Sequence, residues 1–422
     1  MVAGIAGCTQ VYANNRSEVL KVVSLKDYAP FTDAELLDKI NTLAARLKGA
    51  VVQHINSTVV GGGVAEILHS LVPVMNSIGL KARWDVIKAG KDFFEVTKAF
   101  HNAFHGVKTE ITERMLEIYK YTSRANLEVV ADEADFVIIH DQQPLGLVER
   151  RLGHRGKWLW YCHIDPVDVD PRLWDFLKAY AGQCDAAIYH LPEYGKDLGN
   201  KQFFLPPAIN PLSDKNREVS GEEQQQILKK LGISADERVI LQVSRFDRLK
   251  NPFGLMEAYL KVEKEFPCSL ILAGGAADDD PEGQEVLDEL VQKAGCHPRV
   301  KILNLPPDSH LEINVLQRRA DVVVQNSLRE GFGLTVTEAL WKARPVVATP
   351  VGGIRKQVIH EQTGLLAADT DELVVCLKRL LQDCNLSMRL GRQGKEHVRQ
   401  NFITPVYLYN WLVVLNELLQ KS

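Results

Sequence analysis

Arg329-Glu330-Gly331-Phe332-Gly333-Leu334-Thr335-Val336-Thr337-Glu338-Ala339 decides how this chain folds. It follows a short apolar run, 321–325, and leads into a helical pattern over 335–342. Two glycines allow a tight bend and a close backbone approach to a ligand. The first N–H groups of the helix behind them lack internal partners, which suits an anion such as a phosphate. Glu330 falls on the loop and Glu338 about one turn into the helix, so the two carboxylates can face different parts of one ligand. Taken alone, the stretch is equally an ordinary strand–helix turn with two solvated glutamates. The rest of the chain must separate these readings.

Outward from this stretch, short apolar runs alternate with helical patterns. Strands are expected at 239–243, 269–273, 300–303, 321–325, 345–348 and 364–367. Helices are expected at about 254–265, 282–294, 310–319, 334–342, 353–359 and 371–383. Upstream, an amphipathic helix over 33–48 precedes strands at 50–55, 82–87, 136–140, 158–163, 186–190 and 203–205. Such alternation indicates parallel sheets covered by helices on both faces. The pattern weakens at Pro206-Pro207-Ala208-Ile209-Asn210-Pro211, where three prolines suit neither a helix nor a central strand. The expected organisation is therefore α/β, with two Rossmann-like domains, 1–210 and 211–400. A final helix over 405–419, within 401–422, is expected to pack on either domain, including back on the first.

The 422 residues exceed one typical domain. A net charge of −4 gives no reason to expect nucleic acid or an anionic membrane as partner, and no apolar run is long enough for a bilayer helix. The run Met1–Cys8 resembles a lipoprotein cleavage site but lacks a preceding basic residue, and it reads as a loosely packed start. Seven scattered cysteines without a C-x-x-C pair fit buried reduced thiols and a cytoplasmic location.

In open α/β sheets, ligands bind beyond the carboxyl ends of the strands, and several chemistry-bearing residues fall there. Arg245 and Lys250 follow the strand at 239–243. A guanidinium fork and a compact ammonium together suit a diphosphate; a solvated basic loop is the alternative. Gly61-Gly62-Gly63 follows the first strand as a second phosphate-approach loop, without Walker or G-x-G-x-x-G spacing. His163 and Asp165 close one strand; the Asp could orient the His, or the His could bond only to backbone. Asp141 and Gln142 follow another strand and carry hydroxyl-binding groups. No metal-ligand spacing is visible, and Asp278-Asp279-Asp280 reads as a solvated loop.

Together, these stretches resemble retaining GT-B glycosyltransferases of glycosyltransferase family 4. The family's Glu, seven residues, Glu pattern is matched by Glu330 and Glu338, and its basic pair by Arg245 and Lys250. His54-Ile55-Asn56-Ser57-Thr58, Gly61–Leu68, Phe100-His101-Asn102, Cys162–Asp165, His190–Tyr194 and Asp279–Gly283 are similar to the branch that joins a nucleotide-activated glucose to free glucose. This similarity runs from about residue 33 to near the end of the chain.

The resemblance implies a nucleoside diphosphate glucose, UDP- or ADP-glucose, as donor, glucose as acceptor and trehalose as product, with the reverse reaction open. Arg245 and Lys250 would neutralise the leaving diphosphate, with His163 near the donor's reacting face. Glu330 and Gly331, Phe332 and Gly333 would hold the donor glucose, with Leu334 and Thr335 on the same donor face. Glu338 would bond the ribose, Gly61, Gly62 and Gly63 would close on the phosphates, and Leu303 would lie near the base. Asp141, Gln142 and Glu66 would belong to the acceptor pocket. No cofactor is expected to be essential, and Mg2+ at most to stimulate; a homodimer is compatible with the reading. A trehalose phosphorylase on the same fold and a non-catalytic sugar-nucleotide sensor are the competing readings.

Overall fold

Twelve short runs rich in Val, Ile and Leu supply the strands of the computed structural model, which describes residues 23–59, 62–234, 236–275 and 281–419. The first six are β1 Val51–Asn56, β2 Lys81–Val86, β3 Phe136–His140, β4 Lys157–Cys162, β5 Ala186–Tyr189 and β6 Lys201–Phe204. The second six are β7 Val239–Val243, β8 Ser269–Gly274, β9 Val300–Asn304, β10 Val322–Gln325, β11 Val346–Ala348 and β12 Leu365–Leu366. Each set forms one parallel sheet, in the orders β2-β1-β3-β4-β5-β6 and β12-β11-β10-β7-β8-β9. Parallel strands covered on both faces read as continuous apolar runs, and β3, β5, β7 and β10 are buried along their whole length. The fold class expected from sequence is the one observed.

The strand orders fix where a ligand can enter. The chain reverses direction across the first sheet between β1 and β3, and across the second between β7 and β10. At each reversal the following connections leave on opposite faces and open a crevice at the strands' carboxyl ends. The 329–339 stretch leaves β10 at the second crevice. Gly333 there takes φ 84°, a left-handed conformation, and caps the helix Leu334–Trp341.

Two segments carry the chain between the sheets, and they touch. Ile209 pairs with Ile403, through Ile209 N–H donating to the Phe402 carbonyl (2.9 Å) and Thr404 N–H to the Ile209 carbonyl (3.0 Å). The helix Thr404–Leu419 then returns to the first sheet. Tyr407, Leu408, Trp411, Leu412, Leu415 and Leu418 pack there with Leu68, Leu71, Phe136 and Ile138.

Several helices were not anticipated, among them Gly221–Lys230 and the 18-residue helix Cys384–Asn401. The latter is polar nearly all round. Its buried stripe is Leu390, Gly391, Gly394 and Val398, and a Cβ on Gly391 would lie 2.1 Å from the Ala343 carbonyl oxygen. The six cysteines within the described residues are unpaired. Cys162, Cys184, Cys268 and Cys376 are buried as expected, but Cys296 and Cys384 are exposed. Among the described residues no helix is long and apolar enough to cross a membrane.

Candidate active site

The loops leaving β7 and β10 bring the two halves of the sequence motif together. Lys250 Nζ lies 2.7 Å from Glu330 Oε2, and neither side chain is more than 18% exposed. Gln325 Nε2 and Ser327 Oγ also donate to that oxygen, each at 3.3 Å, so the carboxylate is held from three sides. Arg245 lies on the same loop as Lys250, with its guanidinium 3.8 Å from Asp247. The loop is closed by Asp247, whose side chain accepts from Leu249 N–H, and by Asn251 at φ 48°.

Gly331 is required where it stands. A Cβ there would sit 2.6 Å from the His163 carbonyl oxygen of the first domain. Tyr194, also from the first domain, donates its hydroxyl toward the carbonyls of Glu330 (3.2 Å) and Gly331 (3.0 Å). Arg329 ion-pairs with Asp168, and Arg355 with Glu193 at 3.3 Å. The carboxyl edges of the two sheets therefore meet across this loop. Phe332 turns inward, 3% exposed, with its ring 5.4 Å from Phe402 and 5.8 Å from His190. Thr335 Oγ1 donates to Gln325 Oε1 (3.0 Å).

The glycine loop meets the same helix from the other side. Gly61 lies outside the described residues. Gly62, at φ 79°, starts the helix Gly62–Ser77, and a Cβ on Gly63 would lie 3.2 Å from Leu334 Cδ1. Glu338 is 1% exposed. Its Oε2 accepts from Gln317 (3.3 Å), and its Oε1 lies 3.5 Å from Lys215 Nζ. Lys215 also reaches Glu66 Oε2 at 2.7 Å. Glu66 thus stands with Lys215 and Glu338, on the side where the nucleotide ribose was expected. Burial pushes the Glu338 carboxyl up; Lys215 opposes this and Glu66 adds to it. Burial alone would lower Lys215, but Glu338 and Glu66 outweigh it and hold the ammonium above its ordinary range. Leu303 stands apart, half-buried on the outer strand β9.

Four histidines, one at the carboxyl end of each of β3, β4 and β5 and one within β1, form a file across the first sheet. Nδ1 of His54 lies 3.0 Å from His140 Nε2, Nδ1 of His140 2.8 Å from His163 Nε2, and Nδ1 of His163 3.1 Å from His190 Nε2. Every link joins an Nδ1 to an Nε2, so neutral rings satisfy the file only if all carry their proton on the same nitrogen. The two end atoms of the file, His54 Nε2 and His190 Nδ1, are buried with no hydrogen-bond partner among the described residues. Burial pushes His54 and His190 down to about 3, and holds His140 and His163 well below the ordinary range. Both ring nitrogens of His163 are committed to other histidines. What His163 presents toward the 329–339 loop is its backbone carbonyl.

Asp141 stands beside this file at φ 61°, its Oδ1 accepting from His163 N–H (2.7 Å). Burial pushes its carboxyl up to about 7. The Gln142 amide is fully buried, with neither end hydrogen-bonded within the protein. On the helix Lys91–Phe104 and just past it, His101 and His105 meet edge to face, with ring centroids 4.7 Å apart. Burial lowers both, to about 4 for His105; Arg245 and Lys250 add to the shift in His101, and Lys250 to that in His105. The charges of the basic loop therefore reach this helix. Sequence reading passed over Lys215 and His105, and quoted Tyr194 in a motif without giving it a role. The histidine file had a visible signal, since His54, His140, His163 and His190 each stand at or near a strand end.

Two GT-B-type sheets meeting at their carboxyl edges across a basic loop and a Glu-x7-Glu loop define a glycosyltransferase, and known proteins agree. A family described as "Glycosyl transferases group 1" matches residues 223–397, and one described as "Trehalose synthase, N-terminal domain" matches residues 54–196. A trehalose synthase of Pyrococcus horikoshii is 43% identical over 93% of this chain and 96% of its own length; one from Rubrobacter xylanophilus is 41% identical over 94% and 97%. The chain belongs to the trehalose synthase family. A trehalose phosphorylase of Pleurotus pulmonarius is 24% identical over 97% of this chain and 63% of its own length. Among solved structures, an α,α-trehalose-phosphate synthase (UDP-forming) from Burkholderia vietnamiensis shares the fold with a TM-score of 0.72 at 15% identity, over 89% of this chain and 99% of that one. A sucrose-phosphate synthase from Thermosynechococcus elongatus does so with 0.70 at 21%, over 88% and 100%.

Proposed function

We propose that this glycosyltransferase makes trehalose from a nucleoside diphosphate glucose and free glucose, retaining the donor's anomeric configuration and releasing the nucleoside diphosphate. The observation that carries the proposal is Arg245, Lys250 and Glu330 gathered at the switch point of the second sheet. Breaking the bond between the anomeric carbon and the diphosphate leaves negative charge on phosphate and positive charge on the sugar. Arg245, Lys250 and the N-terminus of the helix Leu334–Trp341 meet the first charge with fixed donors, which need no reorganisation during the reaction. Glu330, already oriented by Lys250, Gln325 and Ser327, takes donor-sugar hydroxyls together with the 331–333 backbone.

The acceptor hydroxyl attacks from the face the diphosphate leaves. The new carbon–oxygen bond forms on that face as the old one breaks, and the acceptor's proton passes to the departing phosphate oxygen. His163 serves by position, since its ring nitrogens are engaged and its carbonyl abuts Gly331. Asp141, beside it, takes an acceptor hydroxyl. The fixed cations take the part a divalent metal plays elsewhere, so no metal is required for the transfer.

Incubation with UDP- or ADP-glucose plus glucose should yield trehalose and free nucleoside diphosphate. Incubation with glucose 1-phosphate plus glucose should yield none. Trehalose from glucose 1-phosphate alone would identify a phosphorylase instead. Binding of nucleotide sugar without any product would identify a sensor.

A further inference from the structure

Lys215 lies in the segment between the two sheets, yet it is fixed to the second. Asn314 Nδ2 donates to the carbonyls of Asp214 (2.7 Å) and Arg217 (2.9 Å). The Trp341 indole donates to the Asn216 carbonyl (3.1 Å), and Lys342 Nζ to the Asn216 side chain (3.1 Å). From this held turn Lys215, 17% exposed, points its ammonium between a carboxylate of each domain. Glu66 lies on the helix that begins at Gly62, the helix whose start abuts Leu334.

We propose that Lys215 is a positioning residue for the nucleotide's ribose: it keeps Glu338 an ionised, aimed acceptor for a vicinal cis-diol, and through Glu66 it clamps the glycine-loop helix over the same nucleotide. This rests on the reading that Glu338 takes the ribose. A carboxylate offers about four acceptor sites, two on each oxygen. Lys215 faces Oε1 and Gln317 donates to Oε2, which leaves each oxygen free to accept one hydroxyl proton. That pattern fits the paired 2′- and 3′-hydroxyls of a ribonucleotide. Without Lys215 the buried carboxyl would take up a proton, lose acceptor capacity and discriminate poorly between ribose and deoxyribose. A buried acceptor or donor left unpaired is costly, so a site built for a hydroxyl rejects the analogue that lacks it.

The test compares a nucleoside diphosphate glucose with its 2′-deoxy analogue in the wild type and in Lys215→Met, Glu66→Gln and Glu338→Gln. The wild type should prefer the ribonucleotide in kcat/KM by about tenfold or more. Lys215→Met should raise KM for the ribonucleotide about tenfold, change kcat much less, and bring the preference toward unity. A lysine that merely held the fold together would, when removed, weaken both donors alike and leave the preference intact; that result overturns the proposal. Glu66→Gln keeps the Lys215–Glu338 contact, so it should raise KM for both donors and preserve the preference. An unchanged KM in Glu66→Gln would overturn the clamp. If Glu338→Gln abolishes the preference while Lys215→Met retains it, the role of Lys215 fails and the ribose reading stands. If Glu338→Gln retains the preference, the ribose reading fails and the proposal with it.

Discussion

Acidification should destabilise the first domain well before it affects an ordinary Rossmann sheet of this size. The perturbation is a fall in pH from 7.5 to 5.5. The four rings of the file stay neutral in the folded protein over this range, because burial holds each far below its ordinary value. In the unfolded chain each titrates near 6.5. The unfolded state then binds more protons, so stability present above pH 6.5 is lost as the pH falls. Each ring costs about 1.4 kcal/mol across the two pH units, or about 5.5 kcal/mol for the four.

Asp141 works the other way. With a folded pKa of about 7, it takes up its proton in the folded state first and returns about 2 kcal/mol over the same range. Burial also raises Asp165, which acts in the same sense, whereas Tyr161 and Cys162 titrate above this window. The expected net loss is about 3.5 kcal/mol, a large part of the roughly 5–15 kcal/mol that holds a protein folded. His101 and His105, lowered at the domain interface, add to it.

Urea unfolding followed by tryptophan fluorescence reports on the right region, since Trp84, Trp158, Trp160, Trp174 and Trp411 all pack in the first-domain core. His140→Gln removes one of the two inner rings and should reduce the slope by about 1 kcal/mol per pH unit between pH 5.5 and 6.5. A flat stability from pH 7.5 to 5.5, or a slope unchanged by His140→Gln, would refute the reasoning.

Three further outcomes are expected. Substituting Arg245 or Lys250 by Ala should lower kcat by about 10²-fold or more, as removal of a preorganised transition-state donor does elsewhere; near-normal turnover in both variants counts against the leaving-group role. Activity should persist in excess chelator, with added Mg2+ at most stimulatory through free nucleotide; complete, metal-reversible loss would contradict this. Nucleotide and glucose should each tighten the other's binding by the same factor in calorimetric titrations, and together reduce the radius of gyration in small-angle scattering, because Gly63 and Leu334 meet across the domains. Independent binding with an unchanged radius would rule out closure.

Much of this architecture was legible in the sequence because parallel strands buried on both faces announce themselves as apolar runs. Each of the twelve strands falls within about two residues of its expected position. Lys201–Phe204 deviates most, as an edge strand with only partial burial must. The helix Cys384–Asn401 was illegible for an identifiable reason: glycine supplies its contact surface by being absent, and apolar periodicity cannot register a missing side chain. The Lys250–Glu330 pair could be anticipated because each partner marks a strand end. Lys215 could not. It lies in a polar segment with no periodicity, and its importance comes entirely from a turn pinned by Asn314, Trp341 and Lys342, residues 99 or more positions away. The histidine file was half-visible: its members stood at strand ends, but only the strand order made neighbours of residues up to 86 positions apart.

The returning helix Thr404–Leu419 has a bearing on how the protein is made. Trp411, Tyr407 and Leu415 complete the core beneath β1 and β3, elements that leave the ribosome some three hundred residues earlier. At about 5–20 residues per second, the first sheet waits tens of seconds for its last covering layer. Over that interval the second sheet can already be assembled, so the half that begins synthesis is the half that finishes folding last. The first domain must therefore be shielded during translation, by its own partial collapse or by a chaperone. A premature stop just before residue 404 would leave the distant first domain, not the adjacent second one, with an open core.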